Sequence, residues 1–141
     1  MKPEIFKQYV DTGKVNFAYK HSAFLGQESV WAAQAAECAA DQGRFWDFHD
    51  ILFERQNGEN QGAFNQDKLL AMATELKFDM TKFEPCLTNN ETLARVQADT
   101  QEGSAAGVTG TPTFFINGRM LVGAQPLEAF QQAIDQALLS Q

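Results

Sequence analysis

The sequence predicts an α/β fold in which a block of helices interrupts a smaller α/β core. Three patterns along the 141 residues support this prediction. First, a helix is followed by a strand with alternating apolar residues at Lys14–Lys20. Second, residues 28–106 have helical periodicity. Third, the sequence ends with a β-hairpin and a last helix. A helical block between β-elements indicates a core made of residues 1–27 and 107–141, with residues 28–106 as an inserted helical subdomain.

The first two elements are predicted to be a helix and a half-buried strand. Pro3 suits the first turn of a helix, and Gly13 favours the left-handed conformation that ends one. Between them, apolar residues recur at helical spacing: Ile5, Phe6, Tyr9 and Val10. In Lys14–Lys20, alternate residues point to one face of a strand: Val15, Phe17 and Tyr19.

The inserted block begins with three predicted helices. An alanine-rich helix runs from about Glu28 to Gly43, and a second helix covers Arg44–Arg55. The second is apolar nearly all round, so we expect it to be well buried. A polar loop at Gln56–Ala63 precedes a third helix at Gln66–Leu76.

Two further helices complete the block. Asp79 or Thr81 can cap a short fourth helix, and Pro85 is expected to bend or end it. Asn90 is expected to cap the fifth helix, which ends at Gly107.

The period then changes from helix to strand. Thr113–Ile116 and Met120–Val122 are short apolar runs on either side of Asn117 and Gly118, a pair that strongly favours a type I′ hairpin turn. A last helix follows, with Pro126 in its first turn. Its core-facing stripe comprises Leu127, Phe130, Ala133, Ile134 and Leu138.

Composition and charge exclude several classes of function. The net charge of −7 argues against a nucleic-acid partner and against binding to anionic membranes. No apolar run approaches the roughly 20 residues that a membrane span requires. The sequence MKPEIFKQYV at the start lacks the apolar segment of a signal peptide. Neither the histidines with the cysteines nor the acidic residues have metal-ligand spacing, so no metal or other cofactor is expected.

The cysteines and histidines leave alternatives open. Cys38 and Cys86 allow one disulfide, and they are also compatible with two buried free thiols. His21 and His49 are candidates for acid–base chemistry, but packing or hydrogen bonding is the favoured interpretation. Helical spacing favours a core role over a ligand platform for four aromatic residues: Phe45, Trp46, Phe48 and Phe53.

Four segments match a known family in order and cover nearly the whole chain: YVDTGKVNFAYKH, ESVWAAQAAECAADQGRFWDFHDILFE, FEPCL and GVTGTPTFFINGRMLVGAQP. The chain resembles the DsbA-like branch of the thioredoxin superfamily, the disulfide oxidoreductases of bacterial cell envelopes. The resemblance implies a thioredoxin-like core with an inserted helical subdomain. It also implies thiol–disulfide exchange on unfolded or thiol-containing protein substrates, and a location in the periplasm or another extracytoplasmic compartment.

The catalytic motif of the family is missing from this sequence. The family places a CxxC between the first strand and first helix, where the helix dipole lowers the pKa of the leading thiol. This sequence has no CxxC, and Met1 aligns partway along that helix. The resemblance therefore implies an N-terminal truncation that removes the first central strand and leaves no catalytic residue. Cys38 and Cys86 lie in the helical block and cannot substitute, so we expect this chain to be inactive in thiol–disulfide exchange.

The resemblance also assigns roles to four residues that remain. It implies a cis peptide bond between Thr111 and Pro112, although most X–Pro bonds are trans. The family uses the exposed backbone before this proline to pair with substrate as an added strand. Cys38 and Cys86 match a second, structural disulfide of several DsbA-like proteins, which requires an oxidising compartment.

The missing strand would lie between Lys14–Lys20 and Thr113–Ile116 in this family. Its absence leaves two edges with unpaired backbone groups. We expect a strand swapped from another chain or additional residues to fill this slot, or the sheet to split. A homodimer formed by strand exchange or edge pairing is one such arrangement.

Three functions are compatible with the sequence. The first is an envelope thiol–disulfide oxidoreductase without its CxxC segment. The second is a non-catalytic thioredoxin-fold module that binds peptides or a partner. The third is a glutathione-dependent relative with the same helical insertion, of the kappa-class transferase or isomerase branch.

Overall fold

The structure is a computed structural model that describes residues 2–140. The chain forms two compact units. The core unit comprises Met1–Tyr19 and Ser104–Gln141, and the helical unit comprises Lys20–Gly103. Residues 20–27 were expected in the core, but they belong to the helical unit. Hydrogen bonds explain this. The backbone N–H of His21 donates to the side chain of Asp99, and that of Ala23 donates to the side chain of Thr100, both in the helix Leu93–Ala105.

The five predicted helices form in the helical unit, and the last of them ends two residues beyond it. They are α2 (Gln27–Ala40), α3 (Phe45–Arg55), α4 (Gln66–Glu75), α5 (Met80–Thr88) and α6 (Leu93–Ala105). Gly43, after α2, has a φ of 73°, as a glycine that ends a helix does. The side chain of Asn65 caps α4 by accepting a hydrogen bond from the Lys68 N–H at 3.0 Å.

The start of α6 differs from prediction, and Pro85 of α5 does not end its helix. Asp79 caps α5 as expected, but Pro85 lies inside this helix, which continues to Thr88. Pro85 does not end α5, since the following turn is held by Cys86 and Leu87, which are both buried. Asn90 does not cap α6: its φ is 54°, and its side-chain oxygen accepts from Gln34 Nε2.

The helical unit is built around aromatic side chains from three places in the chain. The rings of Phe48, Phe78 and Phe83 lie 5.3–5.9 Å apart between centroids. The expectation that α3 is well buried is wrong, because only Phe48 and Ile51 of this helix are buried. Phe53, expected in the core, is 58% exposed, since α3 packs with a single face on the cluster.

The core unit contains α1, a hairpin and the last helix. α1 spans Lys2–Ile5 and continues as a π-helical turn at Phe6–Val10. The hairpin consists of β1 (Thr113–Ile116) and β2 (Arg119–Val122). The last helix, α7, spans Leu127–Leu139. The strands pair antiparallel, from Thr113 opposite Val122 to Ile116 opposite Arg119. Phe114 and Ile116 pack against a buried cluster: Ile5, Tyr9, Phe130 and Ile134.

The strand predicted at Lys14–Lys20 does not form, and within residues 2–140 the sheet is the two-stranded hairpin. The alternation that suggested a strand persists in part, since Val15 and Phe17 are half-buried and Asn16 and Ala18 are exposed. A strand, however, requires a neighbouring chain to hydrogen-bond with. Among the described residues, no strand forms a ladder with this segment.

Candidate functional site

The candidate peptide-binding site is the turn that leads into β1. The peptide bond between Thr111 and Pro112 is cis, and both residues are exposed. The Thr113 hydroxyl donates to the Gly110 carbonyl at 2.7 Å, and the Gly123 N–H donates to the Pro112 carbonyl at 2.8 Å. These two bonds fix the turn on both sides of Thr111.

The backbone of Thr111 is available to another chain. Within residues 2–140, the N–H and carbonyl of Thr111 have no hydrogen-bond partner. The edge of β1 that faces away from β2 likewise has no strand beside it in this part of the chain. An extended peptide therefore has free backbone groups at Thr111 and along the outer edge of β1 with which it can pair.

One face of the hairpin next to this edge is apolar and exposed. Phe115 is 46% exposed, Met120 38% and Val122 53%. Phe115 lies opposite Met120, and Val122 lies opposite Thr113, so these side chains are neighbours on one face. The other face of the hairpin carries Phe114, Ile116 and Leu121, which pack in the core unit.

Both cysteines of the sequence are used in one disulfide. Cys38 and Cys86 are joined by an S–S bond of 2.04 Å and are 1% and 6% exposed. The structure thus forms the pair that the family resemblance implies, and excludes the alternative of two buried free thiols. No free cysteine remains to act as a nucleophile.

A hydrogen-bond network beside the disulfide was not anticipated from the sequence. Gln34, which is 1% exposed, donates from Nε2 to Asn90 Oδ1 at 3.0 Å. The hydroxyl of Thr92, which is fully buried, donates to the Gln34 carbonyl at 3.0 Å. Gln34 precedes Cys38 by one turn and Asn90 follows Cys86 by one turn, so both links join α2 to the segment between α5 and α6. This spacing is the signal in the sequence that could have predicted the network.

The two histidines make hydrogen bonds, as the favoured interpretation expected. His21, 6% exposed, lies with Nε2 3.0 Å from Glu37 Oε1, and its backbone N–H donates to Asp99. His49 Nδ1 lies 2.8 Å from Asp50 Oδ1. Glu37 also pairs with Arg95, so the segment at His21 is tied to both α2 and α6.

Residues 2–140 contain no group of three or more His, Cys, Asp or Glu side chains arranged to hold a metal ion.

Among the described residues, every helix is too short or too polar to cross a membrane.

Comparison with known proteins identifies the class to which this fold and turn belong. A family model described as thioredoxin matches residues 1–136, and the chain belongs to this thioredoxin family.

Among solved structures, oxidised BdbD from Bacillus subtilis superposes with a TM-score of 0.87 at 26% identity, covering 97% of this chain and 76% of that one. The DsbA-like resemblance and the fold class are therefore confirmed.

Curated relatives are longer than this chain. Disulfide bond formation protein D of Bacillus subtilis is 30% identical over 143 residues, which covers 96% of this chain and 63% of that protein. A protein of Salinispora tropica named Na(+)/H(+) antiporter NhaA 3 is 32% identical over 141 residues, or 99% of this chain and 21% of the relative. The chain thus spans about a fifth of the antiporter and less than two thirds of protein D.

Proposed function

We propose that this chain is the substrate-holding scaffold of a DsbA-like thiol–disulfide oxidoreductase that acts on unfolded or thiol-containing proteins. The observation that carries the proposal is the exposed, unpaired backbone of Thr111, next to Pro112 and the open edge of β1. An extended substrate segment would pair with Thr111 and continue the sheet at β1. Its apolar side chains would meet Phe115 and its neighbours on the exposed face.

We further propose that these 141 residues do not catalyse the exchange by themselves. Exchange needs a thiolate that attacks the substrate disulfide and a second thiol that resolves the mixed disulfide. The sequence contains two cysteines, and both are bonded to each other in the helical unit. The chemistry would come from a CxxC facing Pro112, which these residues do not contain.

The catalytic half of the proposal is tested by the reduction of insulin with dithiothreitol. The chain is expected to leave the rate at that of dithiothreitol alone, and a variant with Cys38→Ala and Cys86→Ala is the matched control. Acceleration by the chain that is lost in the control would show that Cys38 and Cys86 exchange thiols, and would overturn the proposal.

The binding half is tested by NMR titration with a short, soluble peptide of alternating Thr and Val. Amide signals of Thr111 and of β1 are expected to shift. The same peptide N-methylated at alternate residues cannot donate along one edge, and it is expected to bind at least about tenfold more weakly. Equal binding of the two peptides would contradict strand pairing.

A non-catalytic peptide-binding module is the second candidate function. It is favoured by the combination of an open strand edge with cysteines that are both committed to a structural disulfide. The coding sequence directly upstream of Met1 separates the two candidates. An in-frame strand followed by CxxC supports the oxidoreductase, whereas a stop codon without such a motif supports the module.

We also infer that the open edge of β1 allows two copies to associate by edge pairing or strand exchange. The basis is the row of unpaired backbone groups on a short, aromatic strand. Sedimentation velocity is expected to show dimers that increase with protein concentration. A monomer over the whole concentration range would exclude this inference.

An extracytoplasmic location is proposed from the disulfide, because such bonds persist in oxidising compartments. Alkylation of the protein in its native cells, without reductant, is expected to leave both cysteines unmodified. Two alkylated cysteines would instead place the chain in a reducing compartment.

A further inference from the structure

A second concave site lies in the core unit, on the side of the hairpin that faces α7. It is a cleft of about 210 Å³ whose lining includes four apolar side chains: Ile116, Leu121, Ala129 and Ala133. Three polar side chains complete the lining, which are Arg119 of β2 and Gln132 and Gln136 of α7. Clefts that hold drug-sized ligands are typically about 300–1,000 Å³, so this one suits a smaller molecule.

Arg119 is the feature of the cleft that indicates a ligand class. Its guanidinium donates to Gln136 Oε1 at 3.1 Å, and within residues 2–140 no carboxylate lies within ion-pair distance of it. The other three arginines of the sequence each bind a carboxylate: Arg44 with Asp47, Arg55 with Glu75, and Arg95 with Asp41. Among the described residues, Arg119 lacks such a partner although the sequence has 18 acidic residues.

The charge of the core unit also permits an anionic ligand. The sequence places four basic and four acidic residues in Met1–Tyr19 and Ser104–Gln141, a net charge of 4 − 4 = 0. The remaining 7 basic and 14 acidic residues, 7 − 14 = −7, lie in the helical unit. An anion at Arg119 therefore meets no excess of negative charge from its own unit.

We propose that this cleft binds a small carboxylate with a short apolar tail. The carboxylate would accept hydrogen bonds from the Arg119 guanidinium, which is suited to bidentate carboxylate binding. The side-chain amide of Gln136 would donate as well, because its oxygen already accepts from Arg119. The tail would lie against Ala129, Ala133 and Leu121, which line the cleft together. This site is separate from the turn at Thr111 and does not depend on the proposed function.

The test is a titration of the full chain with sodium hexanoate, followed by ¹⁵N–¹H correlation NMR. Amide signals of β2 and of residues 129–136 are expected to shift, with a dissociation constant on the order of 1 mM for so small a ligand. Arg119→Gln is expected to weaken binding at least about tenfold, since it removes a charge-assisted pair. Arg55→Gln is the matched control, because Arg55 is a partly exposed arginine outside the cleft, and it should bind as the unchanged chain does.

Two further probes separate the contributions of charge and tail. Hexan-1-ol has the tail without the carboxylate, and acetate has the carboxylate with almost no tail; both are expected to bind more weakly than hexanoate. Ala133→Leu, which fills the cleft, should reduce hexanoate binding while the dispersion of the spectrum reports an intact fold. The proposal is overturned if hexanoate shifts no signals of the cleft, if Arg119→Gln binds it equally well, or if hexan-1-ol binds as tightly.

Discussion

Asp79 shows at the scale of one residue how a side chain starts a helix. Its Oδ1 accepts the Thr81 hydroxyl at 2.6 Å and the Thr81 N–H at 3.0 Å. The hydrogen bond from the Thr81 side chain is the largest cause that holds the pKa of Asp79 below its usual value, and the backbone N–H adds to it. The ionised carboxylate is therefore the form that the folded helix favours.

We predict a pH dependence from this cap. Because the pKa of Asp79 is lower in the folded than in the unfolded chain, the ionised cap stabilises the fold above the unfolded pKa of about 4. That contribution is lost as the pH falls through the folded pKa. Asp79→Asn keeps a capping oxygen without the charge. Its melting temperature should lie below that of the unchanged chain at pH 7, and the difference should vanish in acid.

Thermal denaturation followed by circular dichroism at several pH values measures this difference. Asp79→Ala is the companion variant, since it removes the cap itself and should melt lower than the unchanged chain at every pH. A difference in melting temperature between the unchanged chain and Asp79→Asn that stays constant down to acid pH would contradict the titration of this cap.

The hairpin shows what a two-residue turn contributes at the scale of an element. Asn117 and Gly118 have φ angles of 47° and 83°, so both lie in the left-handed region that the predicted type I′ turn requires. A Cβ at Gly118 would meet no atom within 4 Å. The cost of a side chain there is thus a cost of backbone conformation alone.

Gly118→Ala is predicted to lower the free energy of unfolding by about 1–2 kcal/mol, the cost of holding an alanine in the left-handed region. Asn117→Gly is the control, because glycine adopts the same region readily and should change stability little. Denaturation in urea measures both. Equal stability of Gly118→Ala and the unchanged chain would show that the turn adopts another conformation in solution.

Elements that are set by nearby residues in the sequence were predicted correctly. Features that require contact with a distant part of the chain were not. The hairpin and the five inserted helices follow from turn residues, caps and periodicity over a few residues. The strand at Lys14–Lys20 has the correct alternation at Val15 and Phe17, but a strand also needs a neighbour, which periodicity does not describe. The exposure of Phe53 was missed for the same reason, since its surroundings are set by which face of α3 packs.

At the scale of the whole molecule, the disulfide joins two helices that are far apart in sequence. Cys38 and Cys86 are separated by 48 positions, and Gln34 of α2 also bonds to Asn90 and Thr92 in the connection between α5 and α6. In the chain-entropy model, a loop of this length contributes about 4 kcal/mol to stability. The helical unit should therefore depend on the bond more than the core unit does.

We predict that Cys38→Ala with Cys86→Ala destabilises the helical unit by up to about 4 kcal/mol. Hydrogen exchange should become faster in α2 and α5, with a smaller change in α7 of the core unit. The unchanged chain treated with reductant should approach the double variant. Equal acceleration in α7, or no acceleration in α2, would show that the stabilisation is not local to the helical unit.

The sequence by itself determined the family, the order of helices and the hairpin, and the lack of a CxxC among these residues. These properties depend on residue identity and on patterns over a few residues, which are visible in one chain. The roles of Thr111 with Pro112 and of Cys38 with Cys86 came from the family resemblance, since composition alone favoured a trans bond and allowed free thiols. Only the tertiary structure decided the pairing of the cysteines, the Gln34 network, the failure of Lys14–Lys20 to form a strand and the cleft beside Arg119. Each of these features depends on whether groups that are distant in sequence come into contact. The packing of the folded chain determines those contacts.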